Sequence, residues 1–332
     1  MPDVRDCEIL EFGGPRLQVG VMRYGARIAS IRVPDRDGMP GEVAVGFDDA
    51  EGWLSDASFQ GATIGRVANR IRSGRFSVDG TEVMVPCNEP AAALHGGPDG
   101  FSQHVWDLES HDDLGAVLRL RSPDGDMGFP GELDVQVALR VHGADLVIDY
   151  TATTTAPTPV NLTNHTYFNL TGTGGSVDRH LVDIAADAYL PVGAGLLPTG
   201  ELAPVAGTAF DLRTPIAVGA RWRAPDPQLV AGRGYDHAFV LRDGSAVAAR
   251  VVEPVTGRTL TVVTDQPALQ FYSGGMLDGT IRARTGLLRQ GDAFCLEAQG
   301  FPDAVHHDHF PSVLLRPGQI YTQRTEYRFG VH

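Results

Sequence analysis

The chain has few cysteines and no block of basic residues. Its 332 residues include three cysteines, Cys7, Cys87 and Cys295, which are widely spaced and form no C-x-x-C motif. An odd, scattered set predicts reduced thiols and excludes a disulfide framework. The formal net charge of -14 repels the phosphate backbone of nucleic acids, so we expect no nucleic-acid partner.

Targeting and membrane signals are also missing. The opening MPDVRDCEIL carries Asp3, Asp6 and Glu8 where a signal peptide would be basic and then apolar. No later stretch approaches the roughly 20 apolar residues of a membrane-spanning helix. These absences predict a soluble, cytoplasmic protein with no membrane partner.

Helical periodicity is scarce, and the best candidate for a helix is the short segment EGWLSDASF at 51–59. Alternation of apolar and polar residues is present instead. In GELDVQVALRV (131–141), every second residue from Leu133 to Val141 is apolar, which predicts a half-buried strand. AVAARVVEPV (246–255) and RTLTVVTD (258–265) predict a hairpin that turns through Thr256 and Gly257.

The length gives a prior of about two domains, but no polar linker, composition break or short repeat divides the chain. The 40 glycines and 22 prolines are scattered among short apolar runs and indicate frequent turns. The simplest organisation is one large antiparallel β-sandwich, with a two-domain division as the alternative. A Rossmann or P-loop fold is excluded because GGPDG and GTGGS lack the required glycine spacing and following helix.

A histidine lies inside the strand-forming run NLTNHTYFNL at 161–170. Alternation places His165 and Tyr167 together on a polar face, whereas Leu162, Phe168 and Leu170 fall on the face directed to the core. A polar face that carries an aromatic ring suits a small polar ligand. The alternative is a hydrogen-bonded core histidine without a catalytic role.

A carboxylate interrupts a second apolar strand, FCLEAQGFPDAV at 294–305. Glu297 lies between Leu296 and Ala298. Burial of a carboxylate there costs free energy, so it indicates either a bonding partner or a functional role. The alternative is a solvated glutamate on an edge strand. A histidine and a carboxylate that meet in one polar pocket would form an acid/base pair.

Three further stretches carry polar candidates, each with a structural alternative. In GRVANRI (65–71), Arg66 and Arg70 offer donors for hydroxyls, or serve as ion-pair partners. In AALHGG (92–97), His95 precedes two glycines that let a ligand approach, or it is solvated in a turn. In GYDHAFV (234–240), Asp236 opens a strand and serves either a ligand or a turn.

Together these stretches form an ordered set of motifs that resembles the aldose 1-epimerases, the galactose mutarotases. The set is GRVANRI (65–71), ALHGG (93–97), NLTNHTYFNLTG (161–172), LLPTGE (196–201), GYDH (234–237), QFYSG (270–274), LDGT (277–280) and PDAV (302–305). The resemblance covers nearly the whole chain. It implies one all-β domain over residues 1–332, a galactose mutarotase-like supersandwich of antiparallel strands with very few short helices.

The resemblance also implies an enzyme that interconverts the α and β anomers of free hexoses such as D-galactose and D-glucose. Where the motifs coincide, it implies that His165 is the general acid and Glu297 the general base. It further implies a sugar-binding set of Asn69, Arg70, His95, Tyr167, Asp236 and Gln270. No metal or redox cofactor is expected, and the predicted partner is a small sugar bound by a monomer or homodimer.

Two other functions fit the same motifs. An epimerase of phosphorylated hexoses would need extra cations, for which Arg282, Arg284 and Arg289 are the clustered candidates. A carbohydrate-binding protein without activity would lack the acid or the base, and both are present.

Several residues near the motifs differ from those commonest in the family, so the sequence does not decide which aldose is the physiological substrate. Ala238, Ala298 and Met276 depart from the family's commonest residues. The loop VHHDHF (305–310) resembles a metal cluster, but its three histidines are crowded beside prolines and no Cys/His pair accompanies them.

Overall fold

The structure, a computed structural model, describes residues 2–332. Helices are short and few in this part of the chain. The two α-helices are α1 (Ala50–Leu54) and α2 (Pro227–Gly232). Single 3-10 turns occur at Val4–Cys7, Phe101–Gln103, Asp126–Gly128, Ala194–Leu196, Val218–Ala220 and Ala304–His306.

Strands make up most of the regular structure. In the first part of the chain they are β1 (Leu10–Gly14), β2 (Leu17–Met22), β3 (Arg27–Pro34), β4 (Pro40–Glu42), β5 (Thr63–Ile64), β6 (Arg70–Arg72), β7 (Arg75–Val78), β8 (Thr81–Met84) and β9 (Ala92–Leu94). The middle part holds β10 (Asp107–Asp112), β11 (Gly115–Ser122), β12 (Leu133–His142), β13 (Asp145–Thr154), β14 (Thr158–Pro159), β15 (Thr163–Asn164), β16 (Tyr167–Phe168), β17 (Leu181–Ile184), β18 (Ala186–Tyr189), β19 (Ala203–Pro204) and β20 (Ile216–Ala217). The last part holds β21 (Asp236–Leu241), β22 (Ala249–Val252), β23 (Arg258–Thr264), β24 (Ala268–Tyr272), β25 (Asp278–Ala283), β26 (Gly286–Arg289), β27 (Phe294–Gln299), β28 (Leu314–Leu315) and β29 (Tyr321–Val331).

Three antiparallel sheets organise these strands. The largest has nine strands in the order β10-β11-β12-β13-β29-β23-β22-β17-β20. A six-stranded sheet runs β16-β27-β24-β21-β18-β19, and a four-stranded sheet runs β1-β2-β3-β4. Five two-stranded ribbons complete the fold: β14-β28, β15-β5, β25-β26, β6-β9 and β7-β8. The all-β prediction with few helices is confirmed.

The main hydrophobic cluster draws side chains from all three large sheets. Strand β12 alternates as predicted, because its apolar residues from Leu133 to Val141 are buried while the residues between them are partly exposed. Phe168 of β16 contacts Tyr327 of β29 with ring centroids 5.2 Å apart, which joins the six-stranded sheet directly to the nine-stranded one. The opposite face of the six-stranded sheet is therefore free to carry polar side chains.

The predicted hairpin is also present, since β22 and β23 pair antiparallel and Gly257 turns between them with a φ of +74°. The sequence did not predict α2, although Asp226 caps it and Pro227 occupies its first turn, both of which are helix-start signals. No helix within residues 2–332 is long and apolar enough to cross a membrane.

Candidate active site

A polar cavity of about 770 Å³ opens over the six-stranded sheet. Its floor comes from the strand faces that point away from the main core, and its rim comes from the segment around α1 and from the β25-β26 ribbon. Seven of the eight predicted site residues line it: Asn69, Arg70, His95, His165, Tyr167, Asp236 and Glu297. A cavity of this size holds a small polar ligand with room to spare.

His165 does not lie in a continuous strand. The run around it is divided into β15 and β16, because the Asn164 side chain accepts hydrogen bonds from the Thr166 amide and hydroxyl and so turns the chain. The His165 amide donates to the Ala62 carbonyl at 2.9 Å, and its own carbonyl accepts from Gly61 at 3.0 Å. The peptide is fixed on both sides, and the ring is directed into the cavity.

Glu297 lies on β27, which runs between β16 and β24 and is buried along its whole length. The predicted alternation is present: Phe294, Leu296 and Ala298 pack in the main core, and Glu297 faces the cavity. The solvated edge-strand alternative is therefore wrong. Ala298, which departs from the commonest family residue, points away from the cavity.

The acid/base candidates face each other. His165 Nε2 lies 3.7 Å from Glu297 Oε2, and both side chains are almost completely buried. Burial lowers the pKa of His165 to about 4. Burial, followed by the charge of Asp236, raises the pKa of Glu297 well above its usual value, although Arg70 opposes this. Both shifts favour the uncharged forms, a neutral His165 beside a protonated Glu297, and in this state the pair holds one proton between its two members.

His95 is held in one tautomer. Its Nδ1 accepts a hydrogen bond from the Asn69 amide at 3.2 Å, so the neutral ring carries its proton on Nε2. Burial lowers the pKa of His95 well below its usual value, followed by the influence of His165 and Arg70. His95 therefore acts as a hydrogen-bond donor and not as a base.

This tautomer also bears on metal binding. Among residues 2–332, one group of three side chains has the spacing of a metal site: ligand atoms of His95, His165 and Glu297 lie within 4.8 Å of one another. A metal ligand needs a free ring lone pair, and the only lone pair of neutral His95 already accepts the Asn69 amide. These residues fit a proton-transfer site better than a metal site.

Arg70 and Asp236 form the polar end of the cavity. The Arg70 guanidinium makes a two-pronged ion pair with Glu89, at 2.7 and 2.9 Å. Gln270 donates to Asp236 Oδ1 at 2.6 Å. Gln270 borders a small adjoining pocket and not the main cavity, so it reaches the site through Asp236, and its predicted contact with a sugar hydroxyl stays a prediction.

Two aromatic rings enclose the histidines. Tyr167 stacks on His165 with ring centroids 5.1 Å apart. Phe59 packs edge-on against His95 at 4.7 Å. Phe59 belongs to the segment 51–59, which was predicted as a short helix; the helix that forms is Ala50–Leu54, so the prediction is correct for 51–54 only. The following residues form the cavity wall, and Phe59 has a φ of +62°, which a pattern of residue types does not reveal.

Other candidates lie outside the cavity. Arg66 is buried and donates to the carbonyls of Pro130, Gly131, Ser122 and Pro123, so its role is structural. In the histidine loop, His306 Nδ1 lies 2.6 Å from the Asp303 carboxylate, and His309 Nε2 contacts the Gly200 carbonyl. The loop histidines do not form a group with metal-site spacing among the described residues.

The fold and cavity define an acid/base enzyme on an antiparallel β-sandwich, with a histidine, a carboxylate and hydroxyl-binding polar groups around one pocket. A sequence profile of the aldose 1-epimerase family matches residues 8–328. The chain belongs to this family. It is an isomerase of the mutarotase type, and the predicted family is confirmed.

Individual relatives cover nearly the whole chain. The galactose mutarotase of Rattus norvegicus is 44% identical over 98% of this chain and 94% of its own length. The aldose 1-epimerase of Escherichia coli K12 is 41% identical over 94% of this chain and 91% of its own. Among solved structures, an aldose epimerase homologue from C. elegans superposes with a TM-score of 0.90 at 28% identity, covering 98% of this chain and 99% of that one. The galactose 1-epimerase of Lactobacillus acidophilus gives 0.86 at 29% identity, covering 99% and 97%.

Proposed function

We propose that this mutarotase acts on free hexoses such as D-galactose and D-glucose, with Glu297 as general base and His165 as general acid. The observation that carries the proposal is the facing pair, with His165 Nε2 and Glu297 Oε2 3.7 Å apart in the cavity. Ring opening needs one group to remove the C1 hydroxyl proton and another to protonate the ring oxygen. A hemiacetal that lies beside this pair directs its C1 hydroxyl to one side chain and its ring oxygen to the other.

The reaction begins with the pair holding one proton. When the C1 hydroxyl donates a hydrogen bond to Glu297, the carboxylate form is favoured and the proton resides on His165 Nε2. Glu297 then takes the C1 hydroxyl proton while His165 protonates the ring oxygen, so the bond from C1 to the ring oxygen breaks. The open-chain aldehyde rotates about its C1–C2 bond. Ring closure on the other face returns both protons with the roles reversed.

The remaining site residues hold the sugar in place. We assign Arg70 and Asp236 to ring hydroxyls, because one offers charged donors and the other a carboxylate at the same end of the cavity. His95 donates from its Nε2, and Asn69 and Tyr167 line the wall. Gln270 supports Asp236 by its 2.6 Å hydrogen bond. Such positioning matters because a displacement of about 1 Å at the reacting atoms can cost roughly a hundredfold in rate.

The charges of the cavity favour a neutral sugar over a phosphorylated one. Besides Glu297, which shares its proton with His165, the lining carries the carboxyl groups of Asp49, Glu51, Asp56, Glu89, Asp236 and Asp278 against the guanidinium groups of Arg70 and Arg282. Of the three cations that a phosphate site would use, only Arg282 lines the cavity. Arg284 is paired with Glu42 at 3.2 Å and Asp48 at 3.4 Å.

Polarimetry tests the proposal. Freshly dissolved α-D-galactose and α-D-glucose are followed with the wild type and with Glu297→Gln and His165→Asn, after subtraction of the solvent rate. We expect both variants to lose at least about 10²-fold in kcat, the lower range for a positioned proton transfer. Glu201→Gln and His142→Asn, at exposed positions, are the matched controls and should retain wild-type activity. Full activity of either site variant would contradict the assignment.

We infer that the protein works in the cytoplasm as a monomer or homodimer. Residues of a single chain line the cavity on all of its described sides, so a second copy is not required to complete it. Analytical ultracentrifugation at micromolar concentration would give the oligomeric state, and a species larger than a dimer would contradict this inference.

A further inference from the structure

A thiol contacts the second nitrogen of the proposed acid. Cys295 Sγ lies 3.6 Å from His165 Nδ1, on the side of the ring opposite the contact with Glu297. Cys295 and Glu297 are two residues apart on β27 and therefore share one face of the strand. A single imidazole thus meets a sulfur atom at one nitrogen and a carboxylate at the other.

The position of the sulfur is fixed by its surroundings. Cys295 pairs with Tyr167 on one neighbouring strand and with Tyr272 on the other, and the three side chains pack in one buried cluster. The thiol is completely buried. Burial, then the charges of Glu297 and Asp236, raises the pKa of Cys295 well above its usual value, so it stays a neutral S–H group.

Cys295 Sγ is the side-chain atom that contacts Nδ1 of His165, and the carbonyl of His165 itself is the backbone group that acts on the ring. Which ring nitrogen of a neutral histidine carries the proton is decided by the hydrogen bonds that the ring makes. An acid that works through Nε2 must keep its other proton on Nδ1, so that Nε2 alone gives and receives protons. Nδ1–H therefore needs an acceptor, and Cys295 Sγ occupies that place.

We propose that Cys295 is a positioning residue for His165: its sulfur accepts the Nδ1–H hydrogen bond and leaves Nε2 as the atom that exchanges protons with the sugar. Sulfur is a weak acceptor, so it orients the ring without stabilising the protonated form as a carboxylate would. A weakly stabilised imidazolium is a strong acid, which suits protonation of a poorly basic ring oxygen. This inference rests on the proposed role of His165.

The tautomer of His165 tests the inference directly. In ¹⁵N-histidine NMR at pH 7, assigned with His165→Asn, the wild type should show His165 mainly as the Nδ1–H form. Cys295→Ala removes the acceptor, and the ring should then populate both tautomers. We expect kcat to fall by about three- to tenfold, the effect of losing one weak hydrogen bond, with KM within about twofold. Cys295→Ser restores an acceptor and should recover the tautomer and most of the kcat.

Controls separate this role from packing. Cys7→Ala removes the same atoms from a buried cluster elsewhere in the fold and should leave kcat and the tautomer unchanged. If Cys295 served packing alone, a buried serine hydroxyl would be tolerated no better than alanine, and the tautomer would not change. An unchanged tautomer in Cys295→Ala would overturn the inference. Full activity of His165→Asn would instead overturn the proposed function.

Discussion

At the scale of single residues, the cavity depends on buried polar groups held in uncharged or paired states. His95 is fixed as a donor by a backbone amide, and Arg70 is paired with Glu89. His165 and Glu297 share one proton because burial opposes the charged form of each. The pH dependence of the reaction should report these states.

The pH profile of kcat/KM should be a plateau with two limbs. The pair is active while it holds one proton. On the acid side a second proton binds as the pH falls through about 4, the lowered pKa of His165, and activity is lost there. On the alkaline side the shared proton leaves at the raised pKa of Glu297. Stopped-flow polarimetry of D-galactose from about pH 3 upward measures both limbs; an acid limb near pH 6.5 would contradict the shifted pKa of His165.

Replacing Asp236 should move the alkaline limb. After burial, the Asp236 carboxylate is the next cause of the raised pKa of Glu297. Asp236→Asn keeps the shape and removes the charge, so the shared proton should be lost at lower pH. KM should rise by about tenfold or more, since hydrogen bonds to a charged group are weakened. An alkaline limb at the wild-type pH would show that the Asp236 charge does not act on Glu297.

The face on which Glu297 lies could be predicted from the sequence for a physical reason, whereas its pairing with His165 was implied by the resemblance to the family. Alternation along 294–299 decides the faces of that strand without reference to any other part of the chain, so the placement of Glu297 followed directly. The contact between the Asn69 amide and His95 could not be predicted in the same way. Asn69 and His95 both have positive φ values, and their contact depends on how two loops meet in three dimensions.

At the scale of elements, the loop between β5 and β6 places Asn69, its last residue, and Arg70, the first residue of β6, in the cavity wall. Arg66 anchors this loop because its guanidinium donates hydrogen bonds to backbone carbonyls of neighbouring segments. The backbone of the loop also exchanges hydrogen bonds with the backbone of Asn161. The sequence left open whether Arg66 binds hydroxyls or serves the structure. Because the Arg66 guanidinium is buried among backbone carbonyls, its role is structural. No residue pattern within 65–71 reveals these carbonyls, since they belong to distant parts of the chain.

Arg66→Met should destabilise the protein and weaken the site together. The substitution leaves several buried carbonyls without donors, which we expect to cost about 3 kcal/mol or more of unfolding free energy. Urea unfolding monitored by tryptophan fluorescence measures the loss. Arg75→Met, at an exposed position in β7, is the matched control and should change stability by less than about 0.5 kcal/mol. Wild-type stability of Arg66→Met would refute the anchoring role.

At the scale of the whole molecule, one hydrophobic cluster contains residues from Phe12 to Phe329. We therefore propose that residues 2–332 fold as one domain, in line with the single domain over 1–332 that the resemblance implied. Residue patterns predicted β12, the β22-β23 hairpin and the inner face of β27, but they did not predict the break between β15 and β16. The order of the strands in the sheets could not be predicted from these patterns, because pairing between distant strands leaves no local trace in the sequence.

Buried histidines should make the whole fold sensitive to acid. Burial lowers the pKa of His180 to about 4 and that of His237 to about 3, whereas the unfolded chain binds protons near pH 6.5. Between these values the unfolded state holds more protons, so stability falls as the pH falls. His180→Gln should reduce this dependence by up to about 1.4 kcal/mol per pH unit between pH 6 and 5.

Urea unfolding at pH 7, 6 and 5 would measure the slope for the wild type and the variant. His142→Gln, at an exposed position, is the matched control and should keep the wild-type slope. An equal slope in His180→Gln would show that His180 is not buried in its neutral form.

The position of β29 has a consequence for synthesis in the cell. This strand, the last of the described chain, lies in the middle of the nine-stranded sheet, between β13 and β23. While residues 321–331 are still inside the ribosome, β10 to β13 and the group β23, β22, β17 and β20 have no shared neighbour, and each exposes an unpaired edge. The two halves of the sheet cannot join until residues 321–331 have left the ribosome, so those edges stay open to chaperones and to other nascent chains up to that point.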